Sequence, residues 1–69
     1  MRMHVSVKMA RIGAGLTMRD IADMLGIHEQ TYSKLEHNPE KFTIELAERF
    51  AICVNRDITD IVFLSKNSN

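Results

Sequence analysis

Cysteine is nearly absent from this sequence: Cys53 is the only one among 69 residues. An intrachain disulfide is therefore excluded, and a lone cysteine is typical of proteins in a reducing cytoplasm. The histidines His4, His28 and His37 are widely spaced, and no second cysteine joins them in a pattern typical of metal ligands. We expect Cys53 to fill space in the core, and we expect no metal and no other cofactor.

Long apolar runs are also lacking. No stretch approaches the ~20 apolar residues that a membrane-spanning helix requires, and Arg2, Lys8 and Arg11 interrupt the region where a secretory signal would lie. The sequence has no Ser/His/Asp or Cys/His grouping suited to nucleophilic catalysis, and no glycine-rich phosphate loop that follows a strand. It therefore predicts a soluble, cytoplasmic protein that does not contact membranes, has no small-molecule substrate and is not an enzyme.

Neither sign of charge is in excess. Nine basic and nine acidic residues give a net charge of zero, whereas a basic surface is the usual mark of a nucleic-acid-binding domain. The charges are unevenly distributed, because residues 1–35 carry five basic and three acidic groups, and residues 36–69 carry four basic and six acidic groups. We therefore expect a dipolar molecule with one face that attracts a polyanion and with modest non-specific affinity.

Apolar residues recur with helical spacing in five short segments. The pattern places helices at about 6–14, 18–25, 29–36, 43–53 and 58–64. No strand-like alternation, internal repeat or linker separates them. The fourth segment has a broad apolar face formed by Ile44, Ala47, Phe50, Ala51 and Val54. The sequence thus predicts an all-α fold, a single compact five-helix domain over residues 1–69 with an ordered core at about 6–64 and a polar tail at 65–69.

Residues favoured at helix ends support these boundaries. Thr17 is a good N-cap, and the carboxylate of Asp20 follows at the third helical position, where it complements the helix dipole. Gly26 directly follows the second helix and predicts a left-handed C-terminal cap. Asn38 predicts a second left-handed stop, because Asn tolerates positive φ and because Pro39 disfavours helix at the preceding residue.

The stretch Met18–His37 predicts a helix-turn-helix. Two short helices are joined by a turn in which Gly26 takes a conformation costly for other residues. Ala22 lies where the second helix would cross the first, and a larger side chain there would hold the two apart. Tyr32 and Leu35 anchor the second helix from its inner side. This is the arrangement that presents a second helix to the major groove of DNA.

Further residues extend the pattern beyond the motif. They are Arg11–Thr17, Ile21-Ala22, Leu25-Gly26, Leu35-Glu36, Val54-Asn55 and Asp57–Ile61. With them the chain, from Val7 to Leu64, resembles the phage repressor/Cro-like helix-turn-helix family, also called XRE-type. The resemblance implies a lambda repressor-like fold that binds double-stranded DNA. It also implies that Arg11 and Glu36, both on inward faces, form a largely buried ion pair, since a buried unpaired charge is very costly.

The outward face of the second motif helix carries the candidate base-reading residues. Gln30 can pair with adenine through two hydrogen bonds, and Lys34 can donate to O6 and N7 of guanine. Glu29 either accepts from the amino group of cytosine or only repels wrong sequences. We expect Ser33 to contact a base or a phosphate weakly. A solvated helix face without such contacts is the simpler alternative.

Candidate phosphate contacts surround this face. Met18 stands where the family usually has Gln and cannot donate a hydrogen bond from its side chain, but the backbone N–H groups at this helix start can still meet a phosphate. Lys41 lies in the loop after the reading helix, where phosphates pass in this family. Arg19 is a weaker candidate. His28 either caps the reading helix or meets a phosphate, and Thr31 touches a phosphate or a thymine methyl or only fills space.

The fifth predicted helix suggests a dimer. Successive helical residues point ~100° apart, so the four apolar residues Ile61–Leu64 cannot all face one small core. We expect Phe63 to be exposed together with Val62 or Leu64, and to form the contact of a two-fold symmetric homodimer. A kink or a folded-back tail that covers Phe63 is the alternative.

The sequence therefore predicts a sequence-specific transcriptional regulator, specifically a repressor of phage, prophage or mobile-element origin. As a homodimer it would bind an inverted-repeat operator through the major groove. The alternative is a protein-interaction module on the same fold, such as an antirepressor or an antitoxin that binds a protein partner. Neutral net charge, Met18 and Glu29 favour this alternative.

Overall fold

Four α-helices make up most of the computed structural model, which describes residues 4–64. They are α1 (Val7–Gly13), α2 (Met18–Leu25), α3 (Glu29–His37) and α4 (Ile44–Cys53). These bounds agree with the first four predicted helices to within one residue at each end. The predicted polar tail at 65–69 lies outside the described residues.

Hydroxyl side chains begin three of the four helices. Ser6, Thr17 and Thr43 each accept a hydrogen bond from the backbone N–H three residues later, at 3.0–3.1 Å. At α2 the carboxylate of Asp20 also accepts from the backbone N–H of Thr17 at 2.9 Å, which completes a capping box. The hydrogen bonds between Asp20 and Thr17 lower the pKa of the exposed Asp20 carboxyl.

The left-handed stops fall partly where expected. Gly26 ends α2 with φ 74°, as predicted. Asn38 ends α3 with φ −130° and ψ 71°, so the predicted left-handed conformation there is wrong. Pro39 explains the difference, because it restricts the preceding residue to extended backbone and itself begins a 3₁₀ turn, Pro39–Lys41. Asn55, just after α4, takes a left-handed conformation instead, with φ 56°.

The predicted fifth helix is wrong. Asp57 caps only a short 3₁₀ turn, Ile58–Asp60, and the chain then becomes extended. Strand β2 (Ile61–Val62) pairs in parallel with strand β1 (Val5–Ser6). From Ile61 the side chains are alternately more and less buried, with the period of two that a strand has. Residues 4–64 therefore form four α-helices and a two-stranded parallel pair, rather than five helices.

Because this segment is extended and not helical, Phe63 is not exposed. Its ring is half-buried and packs edge-on against Phe42, with 5.1 Å between ring centroids, and against Phe50 at 6.4 Å. Val62 and Leu64 lie on the other side of the extended segment, 37% and 74% exposed. The expectation that Phe63 is exposed in a monomer is therefore wrong, whereas Val62 and Leu64 remain accessible.

The core lies where α1, α2, α3 and α4 meet. Its largest fully buried side chains are Tyr32, Phe50, Ile21, Leu25 and Val7. Burying a side chain of this size contributes roughly 1.5–3 kcal/mol, so these residues dominate the stability of so small a domain. Ile44 does not join them: it is 80% exposed, and its predicted place on the inward face of α4 is wrong.

Candidate nucleic-acid interface

Helices α2 and α3 form the helix-turn-helix, and small residues let them approach. Ala22 is 1% exposed at the crossing. The backbone N–H of Ile27 donates to the carbonyl of Ala22 at 3.0 Å, across the turn that Gly26 makes. Arg49 of α4 donates from Nη2 to the carbonyl of Leu25 at 3.0 Å. Because α2 has no basic residue in its last turn, Arg49 supplies the cation that favours this helix end.

The ion pair implied by the resemblance is present in the structure. Arg11 Nε lies 2.8 Å from Glu36 Oε2, and Arg11 Nη2 donates to Glu36 Oε1 at 3.1 Å. The two side chains are 9% and 4% exposed. Arg11 also donates from Nη1 to the carbonyl of Leu16 at 2.9 Å. The pair thus joins the end of α3 to α1 and to the segment that leads into α2.

Tyr32 is the third member of this network. Its hydroxyl donates to Glu36 Oε2 at 2.6 Å. Burial alone would raise the pKa of the Glu36 carboxyl, but hydrogen bonds from Arg11 and Tyr32 outweigh it and hold that pKa below its usual value. The hydrogen bond to Glu36 raises the pKa of Arg11, and burial raises that of the Tyr32 phenol. All three groups therefore keep their ordinary charge states near neutral pH.

The candidate base-reading residues lie together on the outward side of α3. Tyr32 and Leu35 are buried against the core, which turns the opposite side of the helix to solvent. There Glu29, Gln30 and Lys34 are exposed and Ser33 is half-buried. These side chains thus form one accessible face of a helix that is fixed from behind.

The candidate phosphate contacts differ in how exposed their side chains are. Exposed side chains are present at Arg19, His28, Thr31 and Lys41. His28 occupies the N-cap position of α3, but its side chain makes no capping hydrogen bond. The alternative that His28 caps the helix through its side chain is therefore wrong. Met18 is half-buried and packs against the core, which leaves its backbone as the group available to a phosphate.

Two interactions of this region were not predicted from the sequence. The helical period of α4 leaves Arg49 outside the apolar face, and nothing in the sequence indicates that it reaches Leu25, 24 positions earlier. The Tyr32–Glu36 hydrogen bond had a weak signal, because residues four apart lie on one helix face. Both depend on side-chain conformations that packing decides.

Comparison with protein families identifies the fold. A family model described as helix-turn-helix matches residues 7–61, which is 55 of the 69 residues. The chain belongs to the XRE-type helix-turn-helix family. Membership indicates a DNA-binding transcription regulator. Comparisons with curated proteins and with solved structures give no match.

Two other kinds of site were looked for in residues 4–64 of the helix-turn-helix protein: a metal centre and a membrane-spanning helix. No group of three or more His, Cys, Asp or Glu side chains in that range could hold a metal ion. Within the same range, no helix is long and apolar enough to cross a membrane.

Proposed function

We propose that this helix-turn-helix protein is a sequence-specific repressor that reads operator DNA in the major groove with α3. The observation that carries the proposal is the two-sided character of this helix. Its inner side is fixed by Tyr32, Leu35 and the buried Arg11–Glu36 pair, while its outer side presents Gln30 and Lys34 to solvent. A rigid support behind accessible polar side chains is what precise base contacts require.

The proposed contacts divide into two groups. Gln30 and Lys34 contact adenine and guanine, Glu29 selects cytosine or rejects other bases, and Ser33 adds a weaker contact. The backbone at Met18 and four side chains contact phosphates and set the orientation on the duplex: Arg19, His28, Thr31 and Lys41. An origin in a phage, a prophage or a mobile element belongs to the same proposal and rests on the family resemblance.

We further propose that the repressor acts as a homodimer on an inverted repeat. The accessible apolar side chains Val62 and Leu64 support this proposal, because they lie two apart on the same side of the extended segment and a contiguous apolar patch favours a partner surface. Phe63 lies on the opposite side of the extended segment and holds it in place by packing against Phe42 and Phe50. Two-fold symmetry would place two copies of α3 about 34 Å apart, one turn of DNA.

Selection from a random double-stranded DNA library with purified protein at low salt tests this function. We expect enrichment of a short inverted repeat, and a Gln30→Ala/Lys34→Ala double variant should fail to enrich it. Absence of any enriched sequence with the unmodified protein would contradict the proposal. If a protein partner of defined stoichiometry then bound instead, the antirepressor or antitoxin alternative would be favoured, for which the exposed carboxylate of Glu29 is the supporting observation.

A further inference from the structure

The hydroxyl group of Tyr32 makes a contact that packing of the core does not require. The Tyr32 ring is fully buried and lies 6.3 Å from the Phe50 ring at an interplanar angle of 21°. A phenylalanine ring would fill the same space. The hydroxyl adds a 2.6 Å hydrogen bond to Glu36 Oε2, an oxygen that also accepts from Arg11 Nε. Hydrogen bonds to a carboxylate at such distances belong to the strong, charge-assisted class.

This hydrogen bond spans one turn of the reading helix. Residues four apart lie on the same side of an α-helix, so the bond braces the turn from Tyr32 to Glu36 on its inner side. Ser33 and Lys34 lie within that turn, and Lys34 is exposed on the outer side. The conformation of the turn therefore sets where the Lys34 side chain begins.

The same network reaches the start of α2. Arg11, held by Glu36, donates to the carbonyl of Leu16, the residue that directly precedes the Thr17 cap. The backbone at the start of α2 is the proposed phosphate contact, and Lys34 is a proposed base contact. A chain of hydrogen bonds thus connects the element that orients the protein on DNA with the turn that reads a base.

We propose that Tyr32 is a positioning residue for DNA recognition, a role that rests on the function proposed above. Its hydroxyl fixes the last turn of α3 relative to the start of α2, so that the phosphate contact and the Lys34 base contact are made on one duplex at the same time. Sites of this kind tolerate displacements of only about 0.5 Å. Removal of the hydroxyl frees this turn while the ring still packs.

Tyr32→Phe tests the proposal. The ratio of specific to non-specific affinity is measured with the selected operator and with a scrambled duplex of the same length. We expect this ratio to fall by about threefold to tenfold, because the freed turn misplaces the Lys34 base contact without removing it. The loss should be concentrated at the base pair whose preference disappears in Lys34→Ala. Binding to the scrambled duplex should be unchanged.

Ile61→Val is the matched control. It removes one methyl group from a buried residue of β2 and lowers stability to a comparable extent, without altering any side chain of the network. At a temperature well below both unfolding transitions, its affinity ratio should equal that of the unmodified protein. An unchanged ratio in Tyr32→Phe, or an equal decrease in Ile61→Val, would overturn the positioning role. Failure of the DNA-reading function is seen separately, because the unmodified protein would then show no preferred sequence.

Discussion

At the scale of single residues, the Arg11–Glu36 pair has the largest expected effect on stability. Both charged side chains are buried, and each charge is compensated mainly by the other. Truncating one partner of a buried ion pair typically costs about 3–5 kcal/mol, because the remaining charge is buried without compensation. A domain of this size has little stability to lose.

Glu36→Ala should therefore leave the protein largely unfolded at room temperature. Arg11 would lose two hydrogen bonds and Tyr32 one, while all three donors stay in the core. Urea titration followed by circular dichroism measures the free energy of unfolding. Glu48→Ala is the control, because Glu48 is an exposed glutamate in the middle of α4. Equal stability of the two variants would show that the pair contributes nothing.

The same carboxylate predicts how stability depends on pH. The folded-state pKa of Glu36 lies below its unfolded value, so its contribution is fully present above the unfolded pKa and is lost as pH falls through the folded pKa. The unfolded value for glutamate is about 4.3. The difference in unfolding free energy between the unmodified protein and Glu36→Gln should shrink as pH falls below about 4.

Asp20 titrates in the same acidic range, because its capping bonds also lower its pKa. Its contribution is present in both proteins and cancels in the difference between them. Chemical denaturation at a series of acidic pH values measures that difference. Two parallel stability curves would contradict the assignment of the pH dependence to Glu36.

At the scale of elements, the first four helices could be predicted and the last segment could not. Caps such as Thr17 and Gly26 are local signals, and the apolar spacing of α2 and α3 has one clear period. The run Ile61–Leu64 is apolar throughout and has no period of its own. Its strand conformation depends on pairing with Val5–Ser6 at the other end of the sequence, a contact that local patterns do not contain.

The turn between α2 and α3 predicts a contrast between two glycines. Gly26→Ala should lower the free energy of unfolding by about 1–2 kcal/mol, because φ of 74° is costly for a residue with a Cβ even where space is open. Gly13→Ala should raise it by up to about 1 kcal/mol, since Gly13 is helical. A Cβ at Gly13 would meet only Arg56 Nη2, at an ordinary 3.8 Å. Thermal unfolding of both variants checks the contrast, and equal shifts of the same sign would refute it.

The exposed face of α3 predicts which substitutions change sequence preference. Gln30→Ala and Lys34→Ala should each reduce specific binding by about 1–3 kcal/mol and relax preference at one base pair. Lys41→Ala should weaken binding to all sequences alike and reduce the salt slope by about one unit. Fluorescence anisotropy titrations at several salt concentrations separate the two effects. Unchanged operator preference in Gln30→Ala and Lys34→Ala would show that the reading face lies elsewhere.

At the scale of the whole molecule, zero net charge predicts weak non-specific attraction to DNA. The basic surplus of residues 1–35 comes from Arg2, Lys8 and Arg11, because residues 18–35, which include α2 and most of α3, carry two basic and three acidic side chains. The acidic surplus lies in residues 36–69. Specific base contacts, and the second subunit of the proposed homodimer, would then supply most of the affinity.

The proposed homodimer predicts a different effect for two exposed apolar residues. Leu64→Glu should give a folded monomer with much weaker operator binding, because Leu64 is 74% exposed and its loss leaves the core intact. Ile52→Glu is the control, since Ile52 is 78% exposed on α4 and lies outside the proposed interface. Analytical ultracentrifugation measures the oligomeric state. An unmodified protein that stays monomeric at high concentration, and on a single half-site, would refute the dimer.

The pairing of β1 with β2 also bears on the lifetime of the folded state. Val5 and Ile61 are partners across almost the entire described sequence. Closing so long a loop costs entropy before any contact is gained, so this pair should form late, after the helices have packed. Interactions absent from the folding transition state slow unfolding and leave the folding rate almost unchanged. We therefore expect the two short strands to prolong the life of the native protein, with little influence on how quickly it is reached.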